Sequence, residues 1–258
     1  VVNPTSGAGL TRVSMAGTQT LLGTGSIILG ATSEPAVRAR LDGPVSPDLA
    51  TLAPGQTLRG NGTVGGNVRI EGAIAPGAAS GGTGQIIFEE PLLVPPTTTF
   101  DCNFAGPAAY DSIAVQKPYT LGGLLRVTLT GGYNPISTHL FTIVDGSPGA
   151  TRTAGFSTFN LPTPPPTPLR RVWRLNYLPE DVTLRLTCAA DFNGDGLVND
   201  VDFQYFLFAY GELFCPTPET PDFPLQPEAC PADLNQDNLV LDDDFVLFVQ
   251  AYNLVICQ

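Results

Sequence analysis

Over roughly the first 187 residues, apolar and polar side chains alternate in short runs broken by Gly, Asn or Pro. A break comes roughly every eight to twelve residues, the spacing of many short strands joined by turns. Gln19–Leu29, Val68–Ile74, Leu124–Thr130 and Val182–Thr187 are such runs. The phrase Gln19-Thr-Leu-Leu-Gly-Thr-Gly-Ser-Ile returns as Gln56-Thr-Leu-Arg-Gly-Asn-Gly-Thr-Val. Recurring glycine corners with inward apolar positions predict stacked coils, each buried on its neighbours. Val172–Tyr177 and Val182–Thr187 read as a closing hairpin. Beyond residue 188 the period changes. Phe203, Phe206, Leu207 and Tyr210, then Phe245, Phe248, Val249 and Tyr252, fall at i, i+3, i+4 and i+7, the spacing of one helix face.

Each stripe follows a twelve-residue segment rich in short oxygen-bearing side chains, and the second copy lies 42 positions after the first. Oxygens at positions 1, 3, 5, 9 and 12, with a backbone carbonyl at position 7, wrap a hard cation in an EF-hand-type loop. Site 1 is thus expected to use Asp191, Asn193, Asp195, Asn199, Asp202 and the Leu197 carbonyl. Site 2 uses Asp233, Asn235, Asp237, Asp244 and the Leu239 carbonyl, with Leu241 at position 9 leaving that place to water or backbone oxygen. Two Ca²⁺ ions are expected, site 1 holding its ion more tightly. Position 6 needs a positive φ and carries Gly196 in one loop and Asn238 in the other, two residue types that tolerate it. No helix precedes either loop, because Thr187–Ala190 and Ala229–Ala232 are too short or interrupted by Pro.

Two loop–helix units without entering helices resemble a type I dockerin. The likeness is closest to dockerin-like C-terminal modules of large secreted bacterial proteins, which read DFNGDGxVNxxDF with flanking cysteines. It covers about residues 188–258 and implies a docking or anchoring role. The chain departs from cellulosomal dockerins in the insert Pro216–Ala229, and the usual cohesin-contacting pattern is not evident. Cys188 and Cys215 lie 27 apart, as do Cys230 and Cys257. In an antiparallel pair of units, each helix end lies beside the start of the other unit. A 13-residue helix spans about 20 Å, so the expected pairing is Cys188–Cys257 and Cys215–Cys230. Cys102 is then left over as a small buried apolar residue or an interchain partner, the buried role being favoured.

From Thr57 the chain resembles the right-handed β-helix of autotransporter-type passenger proteins. The carrying phrases are Gly60-Asn-Gly-Thr-Val-Gly-Gly-Asn-Val, Gly72-Ala-Ile-Ala-Pro-Gly, Tyr110-Asp-Ser-Ile-Ala-Val, Leu121-Gly-Gly-Leu-Leu-Arg-Val-Thr-Leu and Phe141-Thr-Ile-Val. The expected fold is therefore mainly β. A β-helix or β-solenoid fills residues 1–187, and a small α-helical calcium-binding domain fills 188–258. The strands from Phe100 to Thr187 are candidates for a sandwich-like cap, and a β-sandwich is the alternative for the whole β part.

Charge sharpens the division. Residues 188–258 hold thirteen Asp or Glu and no Lys, Arg or His, whereas the preceding part holds eleven acids and all twelve bases. Acids concentrated at ligand positions point to cation binding and argue against nucleic acid as a partner. No run of 18 apolar residues offers a membrane span, and no charged-then-apolar leader follows Val1. The cysteines, Thr/Pro tracts and single Lys117 suit an exported, disulfide-bonded protein.

Catalytic candidates are sparse: Lys117, His139, Asp101, Asp111 and the Glu89-Glu90 pair, none forming a Ser-His-Asp or Cys-His set. The chain is expected not to be an enzyme. The leading expectation is an extracellular or cell-surface structural or adhesive protein that forms a homo-oligomer or filament, or docks to a cell-surface protein. A targeting module of a longer secreted protein and a lyase-like carbohydrate-active β-helix are the alternatives.

Overall fold

A computed structural model describes residues 12–30, 39–77, 82–164, 167, 169–212 and 230–254. The chain divides into two compact units. One comprises Val1–Asn134, Thr142–Pro162 and Leu178–Asp181; the other comprises Pro135–Phe141, Thr163–Tyr177 and Val182–Gln258. The 187/188 boundary read from the sequence falls inside the last β-strand.

The first unit is a β-solenoid of about five turns. Its coils are β1 (Arg12–Ser14), β2 (Gln19–Leu21) and β3 (Gly25–Leu29); then β4 (Ala39–Asp42), β5 (Ala50–Leu52) and β6 (Gln56–Gly60). Next come β7 (Gly62–Gly65), β8 (Val68–Ile70) and β9 (Ala73–Pro76), then β10 (Gln85–Phe88), β11 (Leu92–Leu93) and β12 (Thr99–Gly106). The short β13 (Ala109–Tyr110) folds back antiparallel on β12 before β14 (Ser112–Val115), β15 (Tyr119–Thr120) and β16 (Leu124–Leu129). β17 (Leu140–Gly146) and β18 (Thr158–Asn160) add a partial turn. Strands stack in parallel on the equivalent strands of adjacent coils, as β3–β6–β9–β12–β16–β18 and β4–β7–β10–β14–β17. Parallel stacking of this kind excludes the β-sandwich alternative. From Phe100 the strands β12, β14, β15, β16, β17 and β18 extend the coil instead of forming a sandwich-like cap.

Stacking places like residues in columns. Ile27, Leu58, Ile74, Phe100, Leu125 and Phe159 are successive cross-strand partners on one wall. Leu41, Val64, Phe88 and Val115 form a column on another. Leu58, Ile74, Phe100 and Leu125 are all buried, and the Phe100 and Phe156 rings stack 5.9 Å apart. Burial of each such side chain contributes about 1.5–3 kcal/mol.

The Gln19 and Gln56 phrases do not stack in register, since the tail of the first, Gly25–Ile27, pairs with the head of the second, Gln56–Leu58. Gln19 pairs with Ala50, while Gln56 pairs with Gly25 and reaches back through its amide to the Leu22 carbonyl at 3.0 Å. Each wall uses the same alternation and glycine corners, so a phrase can recur on different walls. Gly60 illustrates the corner requirement: its φ is +102°, and a Cβ there would overlap the Leu29 carbonyl oxygen.

The second unit contains the antiparallel hairpin of β19 (Arg171–Tyr177) and β20 (Val182–Cys188), as the sequence predicts. It also contains α1 (Asp200–Glu212) and α2 (Asp242–Leu254), each of 13 residues. Val172 and Cys188 of the hairpin share a core with Phe192, Val198, Phe206, Ala209, Leu234, Val240, Phe248 and Ala251. No helix among the described residues is long and apolar enough to cross a membrane.

Candidate metal centre

The two loops share most of their bonds, with Gln236 N to Asp233 in loop 2 and the Thr187 hydroxyl to Asp191 in loop 1 as differences. In loop 1 the Asp202 carboxylate turns back to accept from Phe192 N at 2.7 Å, Asn193 N at 3.2 Å and Asn199 N at 3.0 Å. In loop 2 Asp244 accepts from Leu234 N at 2.7 Å, Asn235 N at 3.0 Å and Leu241 N at 2.9 Å. Asp191 accepts from Asp195 N and Gly196 N, and Asp233 accepts from Asp237 N and Asn238 N. The Asn193/Asp195/Leu197 bonds recur as Asn235/Asp237/Leu239 bonds. Such repetition needs the same backbone path. Positions 4 and 6 have positive φ in both copies: +70° at Gly194 and +93° at Gly196, 68° at Gln236 and 72° at Asn238. Position 6 follows expectation; position 4 was not anticipated, although Gly194 is a visible cue.

This arrangement orients short side chains around a common point. Asp233, Asp237 and Asp244 offer carboxylate oxygens that all lie within 4.8 Å of one another, close enough to share one cation. Among the described residues they are the one carboxylate group that converges so tightly, and the Asp191/Asp195/Asp202 set of loop 1 is looser. There Asp191 Oδ2 also accepts from the Thr187 hydroxyl at 2.6 Å. Burial raises the pKa of Asp191, and it pushes Asp202 up to about 6. Carboxylates that resist ionising in a dry loop are stabilised by a bound cation. Leu197 and Leu239 have exposed side chains, so only their backbone carbonyls can contribute. Asn193, Asn199 and Asn235 occupy their loop positions, and the Asn199 side chain accepts from Val201 N at 2.8 Å as a helix cap. The donor set, all oxygen and largely anionic, fits Ca²⁺.

The helices lie against each other with a two-fold relation. Phe206 and Phe248 stack 5.1 Å apart, Phe203 meets Phe248 at 5.7 Å, and Phe206 meets Phe245 at 6.0 Å. Tyr252 Oη donates to Asp200 at 2.5 Å, and Tyr210 Oη donates to Asp242 in the reciprocal bond. The buried face is rotated slightly from the predicted stripe. Leu207 is exposed in α1, and Phe245, Val249 and Tyr252 are exposed in α2, while Ala209 and Ala251 are buried. Phe192 supplies the cause, stacking on both Phe206 and Phe248 and drawing the helices towards that side.

Sequence reasoning missed the hairpin's part in this centre. Arg174 is fully buried, donating to the Asp191 carbonyl at 2.9 Å and the Ala189 carbonyl at 2.6 Å. Its guanidinium lies 5.8 Å from the centroid of the Phe192 ring. Asn176 donates to the Gly194 carbonyl at 3.3 Å, Arg185 to the Asp195 carbonyl, and Arg170 to the Asp233 carbonyl at 3.2 Å. The available signal was charge: Arg170, Arg171, Arg174 and Arg185 stand just before a stretch with no base.

The catalytic candidates are dispersed. Asp101 forms a two-pronged ion pair with Arg126, at 2.5 and 2.8 Å. Glu89 pairs with Arg40 at 2.6 Å, Lys117 is exposed, and His139 Nδ1 accepts from Ile136 N at 3.4 Å. Asp111 is buried at a coil corner, accepting from Gly84 N at 2.7 Å, Asn103 N at 2.9 Å and Asn103 Nδ2 at 2.9 Å. Burial pushes its pKa up to about 6. Cys102 is buried and free. Cys188 lies in the core, with Cys230 partly buried against it. Cys215 and Cys257 fall outside the described residues, as does the expected pairing.

No family model matches this chain, and no curated protein matches it.

Proposed function

We propose that the chain is an extracellular structural or adhesive protein whose C-terminal part is a dockerin-like calcium module. In this reading two Ca²⁺ ions lock the paired loops, and the protein self-associates or docks to a cell-surface protein. The observation that carries it is the shared set of carboxylate-to-backbone bonds in the two loops, with oxygen-bearing side chains at EF-hand positions 1, 3, 5 and 12 of each. Calcium outside cells is concentrated enough to fill weak sites, about 10⁻⁴–10⁻³ M in affinity. Without the ion the clustered carboxylates repel one another and the module loosens. The disulfides Cys188–Cys257 and Cys215–Cys230 belong to the same reading and would tie the helix ends together.

Self-association is supported by the solenoid's first coil. Among the described residues β1, β2 and β3 each pair on one side only, and Val13 and Leu21 are partly exposed there. Edges without a neighbour among the described residues are places where a further coil or another chain can add. Residues that would carry catalysis are dispersed in ion pairs and corners, which supports a non-enzymatic role.

Calorimetric titration of chelator-treated protein with CaCl₂ tests the module, with two ions per chain expected. Light scattering with calcium and then with chelator tests assembly, and growth in size with calcium is expected. A protein that takes up no calcium at about millimolar concentration would overturn the module. A calcium-loaded monomer that cleaves a polysaccharide and binds no surface component would replace the structural role with the lyase-like one.

A further inference from the structure

We propose that the β19–β20 hairpin is a working part of calcium site 1, and that Arg174 is a positioning residue of that site. The inference rests on the calcium reading and concerns what shapes the first loop. Arg174, Asn176 and Arg185 hold the carbonyls of Asp191, Gly194 and Asp195, three residues in the first half of the loop. None of these is the Leu197 carbonyl, which remains available to an ion. The hairpin therefore fixes the loop's outer side and leaves its ligand oxygens facing inward.

A comparison inside the molecule supports this. Both loops need positive φ at positions 4 and 6, yet loop 1 has two glycines there and loop 2 has Gln236 and Asn238. At position 4 the two φ values agree, so backbone strain alone does not demand glycine there, whereas Gly196 at +93° lies further from what side chains adopt than Asn238 at 72°. Space at position 4 distinguishes the loops. A Cβ on Gly194 would sit 3.0 Å from the Arg174 Cβ and from the Asn176 amide, and one on Gly196 would run into the Arg185 guanidinium. The glycine pair is the mark of a loop pressed against a hairpin.

The arginines also place positive charge beside a cation site, which by itself opposes calcium. Preorganisation opposes that loss. Groups that orient metal ligands from outside typically contribute about 10–100-fold in affinity, and removing Arg174 would leave the Asp191 and Ala189 carbonyls without their buried donor. The ordering effect is the larger, so loss of Arg174 weakens site 1.

The test uses the full chain, titrated calorimetrically with CaCl₂. Asp237→Ala leaves site 1 to be read alone, and Asp195→Ala leaves site 2. Arg174→Met should weaken site 1 by about 10–100-fold and leave site 2 within about threefold. Arg174→Lys, which keeps the charge but not the two-pronged donor, should rescue little. Gly194→Gln copies the residue loop 2 uses at matching φ, 70° against 68°, so its effect reads the hairpin contact without removing a buried charge. It should weaken site 1, whereas Gln236→Gly should not weaken site 2. It decides the matter if Arg174→Met does not fold. Unchanged or tighter site 1 binding in these variants, or equal losses at both sites, overturns the inference and leaves the calcium module standing. A wild-type chain that binds no calcium overturns the module instead.

Discussion

Phe206 is the most exacting test of the helix pair. Its side chain is fully buried and its ring meets Phe192 at 6.4 Å, Tyr210 at 5.8 Å, Phe245 at 6.0 Å and Phe248 at 5.1 Å. Phe206→Ala removes the central ring of that stack and leaves a cavity that the flanking rings cannot all close. The cost for such a truncation is about 3–5 kcal/mol. For a unit of this size that lowers the melting temperature by roughly 12 °C or more. Leu207→Ala, one residue along, is the matched control. Leu207 is 45% exposed and should cost within about 0.5 kcal/mol. Thermal melts of both variants in saturating calcium, followed by near-UV circular dichroism, give the comparison. Equal shifts for the two, or a Phe206 shift worth less than about 1 kcal/mol, would show that the ring stack does not hold the unit together.

Two further outcomes follow from the solenoid. Asp111 has a folded-state pKa pushed up to about 6 by burial, above the ordinary carboxylate value, so the native state binds its proton more tightly than the unfolded chain. Its contribution is greatest at low pH and falls as pH rises towards about 6. Melting temperature measured between acid and neutral pH should carry a falling component that Asp111→Asn removes; an identical pH profile in the variant would refute it. Gly60→Ala meets both a φ of +102° and the Leu29 carbonyl, so it should destabilise by several kcal/mol. Gly17→Ala, at φ +69° with nothing within 4 Å, should cost only about 1 kcal/mol. Denaturant unfolding that ranks them the other way would contradict the corner argument.

What could be read from the sequence was what is local. The turns of each twelve-residue loop and the helix that follows it depend on spacing within a short segment, so these elements were legible. The solenoid was legible as a class, because alternation and glycine corners recur. Its register was not: Gln56 looks like Gln19 but sits on another wall, since pairing is decided by coil lengths that vary along the chain. The helix stripes differ from the buried faces at Leu207 in α1 and at Phe245, Val249 and Tyr252 in α2, and Phe192, outside the stripes, helps choose the buried face. The hairpin arginines were invisible as partners of the loop. Their role depends on side chains reaching backbone carbonyls across a chain reversal, which no spacing rule encodes.

The reciprocal tyrosine bonds carry a consequence of their own. Tyr210 reaches the first residue of α2, and Tyr252 reaches the first residue of α1. Each loop–helix half thus completes itself only on the other, with the same atoms exchanged in both directions. That is the bonding of a symmetric dimer written into one polypeptide.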